Sequence, residues 1–443
     1  MAMHRWMLAI VLAVAVVGGY AGWQQWGPLP DDVAARVDGE TIPAATLDVF
    51  VAAARRSQPD ISRESVLKGL VENRLLATVA NAQHDHHGHP ERVGYDSATR
   101  HEQQRFKLIR TAYADALREA VNDNGMVNSL DSLTAPLALS REALAPMLTL
   151  EQALYSTMTQ AQQQAAREYV LARYRFADDQ PEQTLTLWEL YRRQNIQLKV
   201  QMHNFNLDFI REAVKQHLTM AYVFYWFEQR AGLSEPAIAA VDRCIEDALQ
   251  RETLMHDMGL MQDIHDDNPQ LRELAAQVTD AQIADYYAAN RDQFTRVEKV
   301  RARHLRVNSQ QQADRVYTLI RDGLSFDQAV ADYSLAADRE QGGELGWIDR
   351  ESRQDHWTRA LAFVQPEGVV SPPFRSPAAD GEAPYWELFL VEEKVTGYQS
   401  LDSESVRYRA GRAVAQEQLQ QRFQSLLADV TEQASLRINR EVL

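Results

Sequence analysis

The chain has 443 residues, 45% hydrophobic and 24% charged, so it is too long for one core and we expect two or three domains. Its net charge of −16 argues against a nucleic-acid-binding protein, because an acidic surface repels phosphates. The only cysteine, Cys244, has no intramolecular disulfide partner, and we expect a buried small hydrophobe rather than a reactive thiol.

Residues 1–27 predict an export signal or a membrane anchor. After Arg5, an uncharged run of 18 residues from Trp6 to Trp23 is close to the shortest helix that spans a bilayer. The tryptophans at both ends favour a retained transmembrane helix, which places the protein in the inner membrane, single-pass, with its bulk in the periplasm. The alternative is a signal peptide cleaved after Ala21, which leaves a soluble periplasmic protein.

Residues 28–294 predict a helical domain. Asp38-Gly39 between short apolar runs indicates a tight hairpin, and two helices with apolar faces follow. Residues 100–275 are rich in helix formers and predict helix almost throughout. Their aromatic face indicates core packing, with an open groove for unfolded clients as the alternative. The aromatic residues of this face are Phe209, Tyr222, Phe224, Tyr225, Trp226 and Phe227.

Residues 295–398 predict a small α+β domain, preceded by a helix that a capping box at Thr279 and Gln282 begins. A strand at 299–307, two helices, the glycine turn "GGELGWIDR" at 342–350, a third helix and a strand at 385–393 follow in order. Residues 399–443 predict a long helix whose apolar stripe packs back on the N-terminal helices. The fold class is therefore α+β, a mainly helical domain with an inserted α+β domain and an N-terminal transmembrane helix.

Four segments in this order resemble the parvulin-type peptidyl-prolyl cis-trans isomerases, or rotamases: "ARHLRV", "GLSFDQAVADYS", "GGELGW" and "ALAFVQPEGVVSPPF". "VTDAQIADYYAANRDQF" looks like the entry into this PpiC domain in the SurA, PpiD and PrsA foldases. "VDGETIPAATLDVF" and "VLKGLVENRLLATVA" resemble their helical chaperone domain. The resemblance covers roughly residues 30–80 and 278–430. It implies isomerisation of X–Pro bonds, with unfolded or proline-containing exported polypeptides as partners and no nucleic acid.

The resemblance assigns two catalytic positions. His304 stands at the family's first strand histidine, and Glu387 stands where the last strand usually has a second one. We expect the two side chains to lie opposite each other, so that the carboxylate raises the pKa of the imidazole. The alternative is that Glu387 points to solvent at a strand end. Rotation about a peptide bond requires no nucleophile, metal or cofactor, so no cofactor is expected.

The resemblance also assigns a proline pocket, with the glycine turn directing one of its side chains inward. The substrate-binding residues are Leu345, Trp357, Phe363 and Trp386. Three positions depart from the family: Glu387 replaces its second histidine, Ala336 stands near its usual acid or cysteine, and Arg353 stands where methionine is common. These departures favour the alternative function, a catalytically degenerate holdase that binds peptides without isomerising them.

The histidine-rich segment "HDHHGH" is the weak candidate for a metal site. Imidazoles bind zinc, copper and nickel, but Gly88 and the following Pro90 indicate a solvated loop without rigid support. A periplasmic metal carrier is therefore the third function considered. The candidate ligands are His84, His86, His87 and His89.

Overall fold

A computed structural model describes residues 29–83, 96–123, 128–150, 158–261, 268–354, 356–377 and 383–443. The chain divides into two compact units, the first running to Gln270 and including Leu419–Leu443, the second being Leu271–Gln418. The predicted segment 1–27 and the histidine-rich segment 84–89 lie outside the described residues. Within the described ranges, no helix combines the length and the apolar composition that crossing a membrane requires.

The first unit is mainly helical, as its composition predicts. Its strands are β1 Val33–Val37, β2 Glu40–Pro43, β3 Val170–Tyr174, β4 Gln183–Thr186 and, near the C-terminus, β9 Leu436–Ile438. Its helices are α1 Ala44–Arg55, α2 Arg63–Gln83, α3 Ser97–Ala112, α4 Ala114–Asp123, α5 Arg141–Leu148, α6 Gln160–Glu168, α7 Leu187–Arg192, α8 Ile196–His203, α9 Leu207–Arg230 and α10 Glu235–Asp257.

A three-stranded antiparallel sheet joins the two ends of the described chain. The predicted hairpin connects β1 to β2, with Asp38 and Gly39 both at positive φ, as a tight turn of this kind requires. On the other side of β1, strand β9 pairs so that Ala35 faces Ile438. The C-terminal residues thereby become part of the first unit, and Val430 and Leu436 pack against its main core.

The aromatic face of α9 is used mainly for packing. Tyr222, Trp226 and Phe227 are buried, and Phe227 belongs to the core that α1, α2, α3 and α10 share. Cys244 is buried in the same core, and burial raises the pKa of its thiol to about 12, so it is not a reactive thiol. The expectation of helix throughout 100–275 is wrong at β3 and β4, because their pairing is a tertiary contact that composition does not encode.

The second unit contains the α+β domain. Its helices are α11 Pro269–Gln277, α12 Asp280–Ala289, α13 Gln310–Arg321, α14 Phe326–Tyr333, α15 Trp357–Val364 and the first half of α16 Glu404–Gln433. Its strands are β5 Thr295–Val307, β6 Glu344–Asp349, β7 Phe374–Arg375 and β8 Trp386–Tyr398, in the antiparallel order β6-β5-β8-β7. Thr279 and Gln282 form the predicted capping box of α12.

Successive side chains of the central strands β5 and β8 point to opposite faces of the sheet. Each face packs against a different layer. On one face, Leu305, Val307 and Leu388 are buried against α13 and α14. On the other face, Ala302 and Val391 pack with residues of α15. His304 and Glu387 belong to this second face, which holds the candidate site.

Candidate active site

His304 is fixed by its backbone at the centre of the sheet. Its N–H donates to the carbonyl oxygen of Gly343 (2.8 Å), and across the other ladder it lies opposite Phe389. The residue is only 5% exposed. Its imidazole therefore projects from a central strand and is held inside the protein rather than at an edge of the sheet.

A carboxylate lies at each nitrogen of the His304 ring. Nε2 is 2.9 Å from Oδ2 and 3.1 Å from Oδ1 of Asp338. Nδ1 is 3.3 Å from Oε2 of Glu387, an ion-pair distance without hydrogen-bond geometry. Glu387 is completely buried, so the alternative in which it points to solvent at a strand end is wrong. The imidazole is thus placed between two acids.

The β5–β8 register corrects the predicted pairing. The residue directly opposite Glu387 is Arg306, and His304 lies diagonally, on the same face, two residues before Arg306. The Nε of Arg306 donates to Oε1 of Glu387 (2.8 Å), and its Nη2 lies 2.8 Å from the same oxygen. The network therefore alternates in charge from Asp338 through His304 and Glu387 to Arg306.

These contacts determine the pKa of His304. Burial alone disfavours the charged imidazolium and would lower the pKa, but the contact with Glu387 and the nearby Asp338 carboxylate raise it, and the net pKa lies above its usual value. The predicted direction is therefore confirmed. Each ring nitrogen faces an acceptor, so the geometry favours the doubly protonated ring.

Aromatic rings form the floor and one wall beside His304. Phe389, fully buried, contacts Trp357 edge to face at 5.9 Å and Phe374 at 6.1 Å between ring centroids. Trp357 begins α15, and its Nε1 donates to the hydroxyl of Tyr385 at 3.4 Å. Trp357, Phe374 and Tyr385 remain partly exposed. An apolar ring such as that of proline is a suitable ligand for such a surface.

The remaining predicted pocket residues divide between the two faces. Leu345 and Phe363 pack on the site face against Ala302 and Val391, on the far side of the His304–Phe389 pair from Tyr385. Trp386 does not line this face. It is opposite Val307 and packs with the α13–α14 layer, because residues adjacent in a strand point to opposite faces and Glu387 occupies the site face. Its assignment to the proline pocket is corrected accordingly.

The glycine turn has a steric reason. Gly343 has φ +69°, and a Cβ at this position would lie 2.1 Å from the carbonyl oxygen of His304. Gly342 has φ +74°, and its carbonyl oxygen accepts from Nε of Arg303 (2.8 Å). Only glycine allows β6 to approach β5 this closely while the backbone is left-handed. The turn thus brings Leu345 to the site face.

Asp338 is the functional candidate that sequence reasoning missed. The family position falls at Ala336, whereas the structure supplies the carboxylate two residues later. The hydroxyl of Ser334 accepts from the N–H of Arg306, and the carbonyl oxygen of Arg306 accepts from the N–H of Leu335 (2.8 Å). This loop therefore runs beside β5 and reaches His304. The available signal was an acid within a few residues of the glycine pair, which Glu340 also provides.

Phe389, Tyr385, Phe374 and Arg306 were also missed. The alternation of β8 signals Phe389, since it lies two residues after Glu387 and must share its face. The side chain of Arg353 lies outside the described part of the structure. Within that part, no three His, Cys, Asp or Glu side chains are grouped so that they could hold a metal ion.

Comparisons with known proteins agree with this geometry. The profile of the family described as PPIC-type PPIASE domain matches residues 278–402. A stretch of 99 residues is 30% identical to the foldase protein PrsA of Bacillus subtilis and covers 22% of this chain and 32% of that protein. A stretch of 115 residues is 28% identical to the chaperone SurA of Thiobacillus denitrificans and covers 26% of this chain and 24% of that protein. The matches thus span about a third or less of these relatives.

Solved structures of similar proteins include a SurA-like chaperone from Campylobacter jejuni, with 12% identity, TM-score 0.28, and coverage of 93% of this chain and 100% of that one. Another is PrsA from Streptococcus pneumoniae, with 17% identity, TM-score 0.21, and coverage of 51% and 73%. With TM-scores this low, the assignment depends on the sequence match and the site. Residues 278–402 are a PPIC-type, that is parvulin-type, PPIase domain, and the chain is similar to the PrsA foldases and SurA chaperones.

Proposed function

We propose that this protein is an exported foldase that isomerises X–Pro bonds of unfolded client polypeptides. The observation that supports it most is the juxtaposition of His304, flanked by two carboxylates, with the aromatic floor of Phe389 and Trp357. Rotation about an X–Pro bond is opposed by amide resonance and takes about 10–100 s without a catalyst. An apolar surface that holds the proline ring next to oriented polar groups stabilises the twisted amide selectively.

Where this protein departs from the family's usual polar residues, other polar groups take their place, so the site stays polar. Asp338 supplies the acid that Ala336 lacks, and Glu387 with Arg306 stands in place of the second histidine. This supports isomerisation over the alternative holdase function. In either case we propose that the mainly helical first unit holds unfolded exported polypeptides; the similar PrsA and SurA proteins are named a foldase and a chaperone.

A proline-peptide isomerisation assay on the full chain tests this proposal. We expect acceleration above the buffer rate, and a loss of about tenfold or more in kcat/KM for His304→Leu, which removes both ring nitrogens from the site. The matched control is His217→Gln, which changes a histidine of α9 in the first unit, outside the α+β domain that holds the site. If no peptide is isomerised while aggregation of a denatured client is still suppressed, the holdase alternative is correct.

The cellular location is proposed from the N-terminal sequence. We propose a single-pass inner-membrane protein with its bulk in the periplasm, held by residues 1–27, because tryptophans flank the apolar run. Carbonate extraction of membranes and N-terminal sequencing of the purified protein test this. A mature protein that begins at Gly22 and appears in the soluble periplasmic fraction would establish the cleaved alternative.

A further inference from the structure

Arg306 presents a fixed guanidinium beside the aromatic wall. Its Nε and Nη2 are both 2.8 Å from Oε1 of Glu387, and its Cζ lies 4.0 Å from the ring centroid of Tyr385. The side chain is one-third exposed (33%). A salt bridge on one edge and an aromatic face beneath it restrict the rotamers of a normally flexible side chain.

This arrangement leaves part of the guanidinium unused. The group has five N–H donors in a planar fork, and Glu387 engages the edge formed by Nε and Nη2. In the described part of the chain, Nη1 has no hydrogen-bond acceptor. The edge formed by Nη1 and the second Nη2 hydrogen is therefore available to an acceptor from outside the protein. A carboxylate matches the spacing of that edge and accepts two parallel hydrogen bonds.

The unused edge is near the proposed proline site. Arg306 follows His304 by two residues on the same face of β5, and Tyr385 connects it to Trp357 through the hydroxyl that accepts from the indole. Arg306, Tyr385 and Trp357 thus form one continuous wall. A proline ring seated on the exposed parts of Trp357 and Phe374, above the buried Phe389, would place a neighbouring residue of the client against this wall, because adjacent Cα atoms are about 3.8 Å apart.

The surrounding charges distinguish client side chains at this wall. Glu387 is fully buried and contacts both Arg306 and His304, while Asp338 contacts the far nitrogen of the His304 ring. The charge closest to an incoming side chain is therefore the guanidinium. An acidic side chain would gain a charge-assisted contact there, and a lysine would be repelled.

Building on the proposed isomerase function, we propose that Arg306 determines substrate selectivity and that the preferred clients carry an acidic residue directly next to the proline. The acidic side chain accepts two hydrogen bonds from the free edge of the guanidinium. Arg306 is thus a specificity-determining residue of the site.

The test compares peptides with Glu, Gln or Lys directly before or directly after the proline, using the full chain and measuring kcat/KM for isomerisation. In the wild type we expect kcat/KM for the Glu peptide to exceed that for the Gln peptide by about threefold to tenfold at one of the two positions. One partly shielded charge-assisted contact gives an effect of this size. Lys should fall below Gln. Added salt should reduce the Glu-to-Gln ratio, because exposed charges are screened.

Two variants and a control isolate the residue. The double variant Arg306→Gln with Glu387→Gln removes both charges together, which avoids leaving a buried carboxylate unpaired. We expect its ratio of kcat/KM for the Glu peptide to that for the Gln peptide to fall to about one, because the charged contact with the client is lost. Arg306→Lys keeps the charge without the fork, and we expect it to keep only part of the ratio. Arg375→Gln is the matched control, since Arg375 lies on the opposite face, against Trp386.

Equal wild-type rates for Glu and Gln peptides at both positions would overturn the proposal, as would a double variant that keeps the full ratio. The wild-type comparison needs no variant and holds even if the double variant fails to fold. If the wild type isomerises none of the peptides, the proposed activity is wrong. The same peptides titrated into labelled protein, with NMR shifts followed at the Arg306 side chain, then decide the selectivity by binding: tighter binding of Glu than Gln supports it and equal binding refutes it.

Discussion

His304 in the second unit and His217 in the first are both largely removed from water, yet their pKa values shift in opposite directions. Burial disfavours the charged form of each ring, but Glu387 and Asp338 outweigh it at His304 and raise that pKa. At His217, on α9, burial is the largest cause and Arg193 adds to it, so the pKa falls to about 4. The nearby Glu102 and Glu189 act in the other direction and do not compensate.

The difference shows that neighbouring charges rather than burial alone decide whether a buried histidine is charged. His217 is a neutral packing residue, and its Nδ1 has no hydrogen-bond partner among the described residues. His304 is held as part of a charged network in a candidate active site. The contributions of His217 and His304 to stability should therefore depend on pH with opposite signs.

The largest expected effect comes from a backbone change that displaces His304 from its two carboxylates. Gly343→Ala forces a Cβ against the carbonyl oxygen of His304 at a left-handed position, and we expect the second unit to lose about 3 kcal/mol. Gly346→Ala is the matched control: its φ is +66° and nothing lies within 4 Å of the added Cβ, so about 1 kcal/mol is expected. Denaturant unfolding measures both, and equal losses would contradict the steric explanation.

Acidification should weaken the first unit through His217. Its folded pKa of about 4 lies below the unfolded value of 6.5, so this contribution is complete above pH 6.5 and is lost as the pH falls towards 4. At pH 5 the loss is about 2 kcal/mol relative to pH 8. Hydrogen exchange of α9 amides, corrected for intrinsic rates, measures it. In His217→Gln this part of the pH dependence should disappear, and its persistence would assign the effect to other groups.

The second unit should show the opposite sign. Because the folded pKa of His304 is raised above 6.5, its contribution is complete below pH 6.5 and is lost as the pH rises through the folded pKa. An NMR titration of the His304 ring should give a lower midpoint in Glu387→Gln than in the wild type. Asp338→Asn should lower it less, because Asp338 is partly exposed and water screens its charge, whereas Glu387 is fully buried. An unchanged midpoint in Glu387→Gln would show that Glu387 does not raise the pKa of His304.

The smallest expected effect sharpens the account of His217. Arg193→Gln removes the cation that lowers the His217 pKa most after burial, so that pKa should rise above about 4 but stay below 6.5. Arg192→Gln is the matched control, with a smaller rise, because Arg192 is the weakest of the charges acting on the ring. NMR titration of the His217 ring measures both. A midpoint at the unfolded value in Arg193→Gln would show that the cation, not burial, controls this histidine.

Local patterns were sufficient for much of the second unit. The alternation of β5, the capping box at Thr279 and the glycine turn each depend on residues near one another in the chain, and each is present. The acid at Glu387 and the histidine at His304 were expected to interact, and they do. The expected partner set was nevertheless incomplete, since Arg306 is the residue directly across from Glu387.

The misses share a physical cause. Asp338 reaches His304 because Ser334 and Leu335 bond the preceding loop to β5, an arrangement that the position of Ala336 in the sequence does not reveal. Trp386 was assigned to the pocket together with Glu387, although neighbours in a strand cannot share a face. The β3–β4 hairpin was missed because strand pairing depends on tertiary packing more than on intrinsic propensity.

By itself, the sequence determined the helical character of the first unit, the glycine turn and the central-strand histidine, because each follows from neighbouring residues and backbone sterics. Only the tertiary structure decided which carboxylates surround His304, which aromatic rings form the floor beside it, and which face Trp386 takes. Those outcomes depend on strand register and on where loops return to the sheet, and such long-range contacts leave no local periodicity in the chain.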